Sequence, residues 1–182
     1  MSIYTKKGDR GETGIYRKVE GKSVRLPKSA PLISAIGAVD ELNSYLGIVS
    51  AFSEGLPLVK KEIERMQINL LNIGSILAGS DLKFSKSQTT HLEKLIDLLD
   101  TEIPPLTNFI LPGGSKTASL FQFARALSRR AEREVVAYSE SGKVKPSILT
   151  YLNRLSDSLY TFARWANLQE GGKEIIWIVK KR

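Results

Sequence analysis

The amino-acid sequence predicts an all-α protein, a bundle of five amphipathic helices in one domain. Apolar residues recur at steps of three and four in five segments, Gly and Pro separate these segments, and no strand-helix alternation typical of a parallel sheet is present. The chain has 182 residues, of which 42% are hydrophobic and 25% charged, as is usual for one folded domain. We therefore treat residues 1–182 as one domain, with an N-terminal loop at 1–28 and a basic tail at 174–182.

The first 28 residues are rich in glycine and lack a helical period, so they predict a loop with a short hairpin that turns at Glu20 and Gly21. The first helix is expected to begin after a serine N-cap at Ser29, with Pro31 in its first turn, and to end near Gly55. Its inner face is expected to carry Leu32, Ile36, Val39, Leu42, Leu46 and Val49.

The same period predicts a second helix over 59–79 and a third over 88–100. Pro104, Pro105 and the segment 109–114 exclude a helix, so the fourth is expected from Ser115 to about Ser141. The fifth helix follows Pro146 and ends before Gly171. The tail from 174 to 182 is β-branched and then basic, and is expected to be a strand or a loose arm.

Composition excludes several kinds of chemistry. Without cysteine the chain has no disulfide, thiolate zinc site, iron–sulfur cluster or cysteine nucleophile, and its one histidine, His91, cannot form a histidine-rich metal site. We expect His91 to be a surface residue. No apolar run approaches ~20 residues and no secretory signal is visible, so we expect a cytoplasmic protein without a membrane partner. The net charge of +8 favours a polyanionic partner, either nucleic acid, an acidic membrane surface or a nucleotide.

Two basic segments are candidates for binding a polyphosphate. The run from Thr5 to Gly14 combines glycines, hydroxyls and lysines, which suits a phosphate site, although a solvated arm would have the same composition. The fourth helix places Arg125, Arg129 and Glu132 on one face with Arg133 at its border. These groups either converge on an anion or form a solvated face of Glu–Arg pairs.

Four other residues are unusual for their surroundings. Asp40 lies in the middle of a helix, where Asp is unfavourable, which indicates either a specific partner such as an arginine or a surface carboxylate. Asn153 and Asp157 share one face of the fifth helix and either orient a ligand or satisfy their neighbours. Phe109 lies in a loop and either plugs the core or forms a wall for a flat ligand.

Five collinear motifs resemble those of the PduO-type ATP:cob(I)alamin adenosyltransferases. They are Tyr-Thr-Lys-Lys-Gly-Asp-Arg-Gly at 4–11, Val-Asp-Glu-Leu-Asn-Ser at 39–44, Phe-Ile-Leu-Pro-Gly-Gly at 109–114, Ala-Arg-Ala-Leu-Ser-Arg-Arg-Ala-Glu-Arg at 124–133 and Tyr-Leu-Asn-Arg-Leu-Ser-Asp at 151–157. The resemblance implies a left-handed up-and-down five-helix bundle that assembles as a homotrimer with its active sites between subunits. It also implies transfer of the 5′-deoxyadenosyl group of ATP to the cobalt of cob(I)alamin, with release of triphosphate.

This activity suits the residues that the chain contains. Reduced cobalt is itself a strong nucleophile, so the protein needs to supply alignment and charge stabilisation rather than a nucleophile or a general base. The resemblance implies ATP with Mg²⁺ as co-substrate, cobalamin as substrate, and no protein metal site. A reductase and an adenosylcobalamin-dependent acceptor enzyme are further partners that it suggests, whereas nucleic acid is not expected.

The resemblance also assigns roles to individual residues. It implies that Asp40 and Arg125 form an ion pair across the subunit interface, that Arg129 serves both the reaction and ATP binding, and that Phe109 walls the corrin site and helps to displace the lower ligand of cobalamin. The residues that it assigns to ATP are Thr5, Lys6, Lys7, Gly8, Thr13, Gly14, Lys28, Arg129, Arg130, Glu132, Arg133 and Asn153.

Two other functions remain as alternatives. A nucleotide-binding bundle that senses ATP or chaperones the finished cofactor would bind ATP without turnover. A basic nucleic-acid-binding bundle would bind DNA or RNA in a salt-dependent manner that ATP does not affect. The basic residues are dispersed and form no recognisable nucleic-acid module, which argues against the second alternative.

Overall fold

The computed structural model describes residues 3–20, 22–140 and 144–178. It confirms the predicted all-α, five-helix bundle. The helices are α1 Pro31–Ala51, α2 Pro57–Leu77, α3 Ser87–Asp100, α4 Lys116–Ser139 and α5 Pro146–Gln169. A two-stranded antiparallel sheet of β1 Glu12–Val19 and β2 Lys22–Pro27 precedes them.

The ends of the helices show where local sequence signals succeed and where they fail. Helix α4 begins beside Ser115 as predicted, and Ser115 is its N-cap, since its hydroxyl accepts a hydrogen bond from the Ala118 amide at 3.2 Å. The prediction for α1 was wrong, because Ala30 rather than Ser29 occupies the N-cap and makes no side-chain bond. With Pro at the first helical position, one of the amides that a cap would satisfy is already missing. The expected end of α4 near Ser141 lies outside the described residues.

The helices pack in a defined order, with α1 against α2 and α4, and with α5 against α3 and α4. Helices α1 and α4 run antiparallel. Near their middles the ring of Tyr45 meets the ring of Phe123 edge to face at 5.0 Å between centroids. At one end Thr117, near the start of α4, donates to the carbonyl of Phe52, just after the end of α1, at 3.3 Å. Because α4 has 24 residues, the two ends of this pair are about 36 Å apart.

Five of the six predicted inner residues of α1 are buried in the core, whereas Ile36 is only partly buried. The apolar residues that recur at helical spacing in α2 and α5 are all buried, namely Val59, Ile63, Met66, Leu70, Ile73 and Leu77 and Leu152, Leu155, Leu159, Phe162 and Ala166. In α4 Phe121 is fully buried and Leu120 only partly. The ring of Phe121 stacks on that of Phe162 at 5.2 Å, which ties α4 to α5.

Two features differ from expectation. His91 is half-buried rather than a free surface residue, because its Nε2 lies 2.6 Å from Oε2 of the buried Glu62. Helix α1 is, by length and composition alone, capable of crossing a membrane. Its residues Leu42, Leu46 and Val49 are fully buried in the bundle, as in a core helix of a globular domain.

The segments at either terminus are attached to opposite ends of the bundle. The hairpin is bonded to the end of α2, where the Tyr16 amide donates to the Ala78 carbonyl at 2.9 Å. It also lines a cavity of about 360 Å³ with Ala137 and Tyr138 near the end of α4. The tail forms a strand-like bridge between Ile176 and Ile110, close to the start of α4. The last tail residues, 179–182, lie outside the described residues.

Candidate functional site

The N-terminal loop is an exposed turn, and Lys28, the residue that follows β2, contacts it. The Lys28 amide donates to the Gly11 carbonyl at 2.8 Å, and a Cβ placed on Gly8 would lie 3.5 Å from Lys28 Nζ. Gly11 has a φ of 80°, which favours glycine at this turn. The ammonium of Lys28 therefore lies directly beside the Gly8 backbone, so both groups are available to one anion.

Arg25 of β2 also contacts this loop, and the sequence analysis did not identify it as a site residue. Its Nη2 donates to the Lys7 carbonyl at 2.5 Å and to the Glu12 carbonyl at 3.3 Å, and its Nε faces Glu12 Oε2 at 3.4 Å. The guanidinium thus holds the loop to the base of the hairpin. The only sequence signal is a basic residue between the apolar Val24 and Leu26, and it does not reveal which segment the side chain contacts.

The basic face of α4 is partly paired inside the chain. Arg130 forms an ion pair with Glu41 of α1, and the Asn153 amide of α5 donates to Glu132 Oε1 at 2.9 Å. Arg129 and Arg133 are exposed and form no ion pair within the described parts of the chain. Glu132 and Asn153, which were both assigned to ATP, are therefore brought together, and Arg129 and Arg133 keep their charge available to a ligand.

Arg125 and Asp40 do not meet within one chain. The Arg125 Nε donates to Gln122 Oε1 of its own helix at 3.1 Å. Asp40 is exposed beside a groove of about 350 Å³ between α1 and α2, and among the described residues it makes no ion pair. Asn43, one turn later, also lines this groove, and its buried Oδ1 has no hydrogen-bond partner in the described part of the chain. The groove thus offers a carboxylate and an unsatisfied amide oxygen to an incoming donor.

Phe109 forms a wall of a cavity at the other end of α4. Its side chain is 76% exposed, which excludes the core-plug interpretation. Its ring meets that of Trp177 edge to face at 6.3 Å between centroids. The cavity has a volume of about 610 Å³ and is also lined by Leu106, Thr107, Asn108 and Ile178. Its aromatic and aliphatic lining suits a large, flat, partly apolar ligand.

Several charged side chains lie near Tyr160 of α5. Burial raises the pKa of Tyr160, so its phenol is protonated at neutral pH, and Arg164, Glu174 and Arg125 are the charged groups that act on it. Arg125 lies in the first half of α4, toward the end of the bundle that carries Phe109. The predicted phosphate loop lies at the opposite end.

No group of three or more His, Asp or Glu side chains that could hold a metal ion is present among the residues that the structure describes. The site instead offers lysine, arginine and backbone amides for an anion and an aromatic wall for a flat ligand.

Comparison with known proteins links these features. Residues 3–166 match the family model for cobalamin adenosyltransferase. The chain is 40% identical to the corrinoid adenosyltransferase of Bacillus subtilis, over 94% of this chain and 89% of that protein, and 37% identical to the corrinoid adenosyltransferase MMAB of Homo sapiens, over 97% and 73%. A variant PduO-type ATP:corrinoid adenosyltransferase from Lactobacillus reuteri, solved with cobalamin and ATP, superposes with a TM-score of 0.89 at 34% identity, covering 97% of this chain and 99% of that one.

Proposed function

This chain belongs to the cobalamin adenosyltransferase family, and we propose that it transfers the 5′-deoxyadenosyl group of ATP to the cobalt of cob(I)alamin. A cobalt–carbon bond forms at C5′ of the ribose while the C5′–oxygen bond breaks, and triphosphate leaves with the electron pair. The observation that carries this function is the near-complete superposition on a PduO-type enzyme that holds both cobalamin and ATP.

In this proposal the ATP polyphosphate lies against the N-terminal loop and the basic face of α4. The Lys28 ammonium beside Gly8 and the exposed Arg129 and Arg133 supply positive charge, which stabilises the triphosphate as it departs. Glu132 and Asn153 are hydrogen-bonded to each other, and both side chains contact the nucleotide. Thr5, Lys6, Lys7, Thr13, Gly14 and Arg130 complete the proposed ATP contacts.

We propose that Mg²⁺ enters bound to ATP. The described residues contain no carboxylate cluster to hold the ion by themselves. Mg²⁺ commonly binds substrate phosphates and water with few protein ligands. Its contribution when bound is to neutralise charge on the polyphosphate, while the protein residues orient the chain of phosphates.

We further propose that the active site forms between subunits of a homotrimer. The hairpin and Phe109 lie at opposite ends of α4, about 30 Å or more apart along the helix axis, which is longer than a bound nucleotide can bridge. A second copy that brings its own loop to the Phe109 end would unite the two halves. The groove at Asp40 and Asn43 then receives Arg125 of that copy, which satisfies the unpaired groups described above.

The cobalamin half of the site is proposed to use Phe109 as the wall that displaces the lower ligand of cob(II)alamin. Four-coordinate cobalt is easier to reduce, so this step prepares the nucleophile. A cytoplasmic location, a reductase that delivers the electron and an acceptor enzyme for adenosylcobalamin complete the proposal.

The direct test is an anaerobic optical assay with the full chain, Mg-ATP and chemically reduced cobalamin. We expect the cob(I)alamin spectrum to convert to that of light-sensitive adenosylcobalamin only when protein and ATP are both present. Tight ATP binding without conversion would instead support a sensor or chaperone of the cofactor.

Arg129→Ala tests the polyphosphate half of the site. We expect kcat/KM to fall by roughly 100-fold, because a charged donor is lost where charge develops. Lys94→Ala removes a positive charge from the exposed face of α3 and serves as the matched control, with activity expected to stay near that of the parent. Equal rates for both variants would exclude Arg129 from the reaction.

A further inference from the structure

Residues 174–178, which we call the tail strand, pair through an isolated bridge with the loop that carries Phe109. The Leu111 amide donates to the Ile175 carbonyl at 2.8 Å, and the Trp177 amide donates to the Phe109 carbonyl at 2.8 Å. The bridge between Ile110 and Ile176 lies between these two bonds. The tail strand therefore fixes the backbone of Phe109 itself, and it also places Trp177 against the Phe109 ring.

A buried guanidinium on α5 holds both segments. Arg164 is 7% exposed. Its Nε donates to Glu174 Oε1 at 2.7 Å, and its Nη2 donates to the Pro104 carbonyl at 2.7 Å and to Glu174 Oε2 at 3.3 Å. Glu174 begins the tail strand and Pro104 lies at the start of the Phe109 loop. A buried charge is costly unless it is paired, so this geometry favours the arrangement in which the two segments are close together.

The next turn of α5 holds the other end of the same loop. Asn167 is 4% exposed, and its Oδ1 accepts a hydrogen bond from the Ser115 amide at 2.8 Å. The side chain fits between Gly114 and Gly172, where a Cβ on either glycine would overlap its amide group. The loop from 104 to 115 is thus held at its start by Arg164 and at its end by Asn167, and the tail strand is held by Arg164 through Glu174.

We propose that Arg164 is a positioning residue for the cobalamin site, because it couples the tail strand to the Phe109 loop, and that Trp177 is the second aromatic wall of that site. This inference rests on the proposed function. A flat macrocycle that enters the cavity contacts Phe109 and Trp177, whose relative position depends on the Arg164–Glu174 ion pair. Arg164 itself is enclosed by protein and touches no substrate.

The test uses Glu174→Gln, which keeps the shape of the side chain and removes its charge, and Arg164→Lys, which cannot reach both partners with one planar group. The matched control is Glu93→Ala, which removes a carboxylate from the exposed ion pair with Arg154 at 3.2 Å, away from this loop. The first readout is hydrogen exchange at the Leu111 and Trp177 amides in the ligand-free protein. We expect exchange about tenfold faster in Glu174→Gln, as for the loss of one charge-assisted hydrogen bond, and unchanged in the control.

The second readout separates a positioning role from a purely structural one. We expect KM for cobalamin to rise about tenfold in Glu174→Gln while KM for ATP stays within about twofold, because none of the residues proposed to bind ATP is a partner of the Arg164–Glu174 ion pair. Trp177→Ala is expected to have the same selective effect, and Trp177→Phe to restore most of the affinity because it keeps an aromatic ring against Phe109.

Exchange at Leu111 and Trp177 that matches the parent in Glu174→Gln would overturn the coupling. Faster exchange with unchanged kinetics, or with both KM values raised alike, would overturn the positioning role. If Arg164→Lys does not fold, Glu174→Gln decides the question, because Glu174 lies on the partly exposed side of the pair. An unaltered protein that converts no cob(I)alamin would refute the proposed function instead, and the exchange data would still decide whether the coupling exists.

Discussion

Gly114→Ala is predicted to destabilise the protein through a specific steric conflict. Gly114 has a φ of 107°, a region in which residues with a Cβ are strained. A methyl group there would overlap the buried side chain of Asn167, whose Oδ1 accepts the Ser115 amide. The substitution therefore combines backbone strain with displacement of the acceptor for an amide at the start of α4.

The two contributions can be added from the structure. Strain at a positive φ costs about 1 kcal/mol, and an unpaired amide in a partly buried position costs about 1–3 kcal/mol. We expect the free energy of unfolding to fall by about 2–4 kcal/mol, which leaves a domain of ordinary stability folded. The measurement is urea unfolding followed by circular dichroism at a fixed protein concentration, because assembly would otherwise change the midpoint.

Gly47→Ala provides the control for replacing a glycine. Gly47 lies within α1, and a Cβ there would meet Gln67 Nε2 at 3.6 Å, an ordinary contact. We expect the free energy of unfolding to stay level or rise by about 0.5–1 kcal/mol, since alanine is the better helix former. A Gly114→Ala protein within about 0.5 kcal/mol of the parent would refute the reasoning, because the loop and Asn167 would then adjust without cost.

Three further substitutions test the separate parts of the site. Phe109→Ala should lower stability by only about 0.5–1.5 kcal/mol, because the ring is exposed and loses mainly its contact with Trp177, yet it should slow the cob(II)alamin route far more than the reaction with free cob(I)alamin. Equal damage to both routes would exclude the displacement role. Arg125→Ala should reduce the trimer fraction in analytical ultracentrifugation, and native assembly with full activity would exclude its pairing with Asp40. Lys28→Ala should raise KM for ATP about tenfold and leave KM for cobalamin unchanged, whereas an unaltered KM for ATP would show that this ammonium does not reach the nucleotide.

The bundle was predictable because its helices are encoded in local spacing. The stripe of Leu152, Leu155 and Leu159 in α5 is buried throughout, and the Ser115 cap is a short-range signal. The contacts that shape the site are different, since they join residues far apart in the chain. Nothing near Arg25 indicates that it binds the Lys7 carbonyl, and nothing near Arg130 identifies Glu41 as its partner.

The tail is another segment whose partner could not be predicted from the sequence. Its β-branched composition predicted a strand or an arm, and only the fold shows that Ile176 bridges to Ile110. His91 was misassigned for a related reason, because a lone histidine in a helix carries no local sign of the buried carboxylate of Glu62. Periodicity therefore predicts which face of a helix is buried, whereas the polar partners depend on which helices become neighbours.

The antiparallel packing of α1 and α4 separates the Lys28 end of the chain from the Phe109 end. If each active site joins the Lys28 end of one subunit to the Phe109 end of its neighbour, a variant impaired at Lys28 and a variant impaired at Phe109 should complement each other. Mixed trimers of a chain impaired only at Lys28 and a chain impaired only at Phe109 would contain some interfaces in which both contributions are intact. Co-expression would then restore a fraction of the activity that neither variant has alone, and a cell with two differently defective copies of the gene would retain function that a cell with one defective kind would lack.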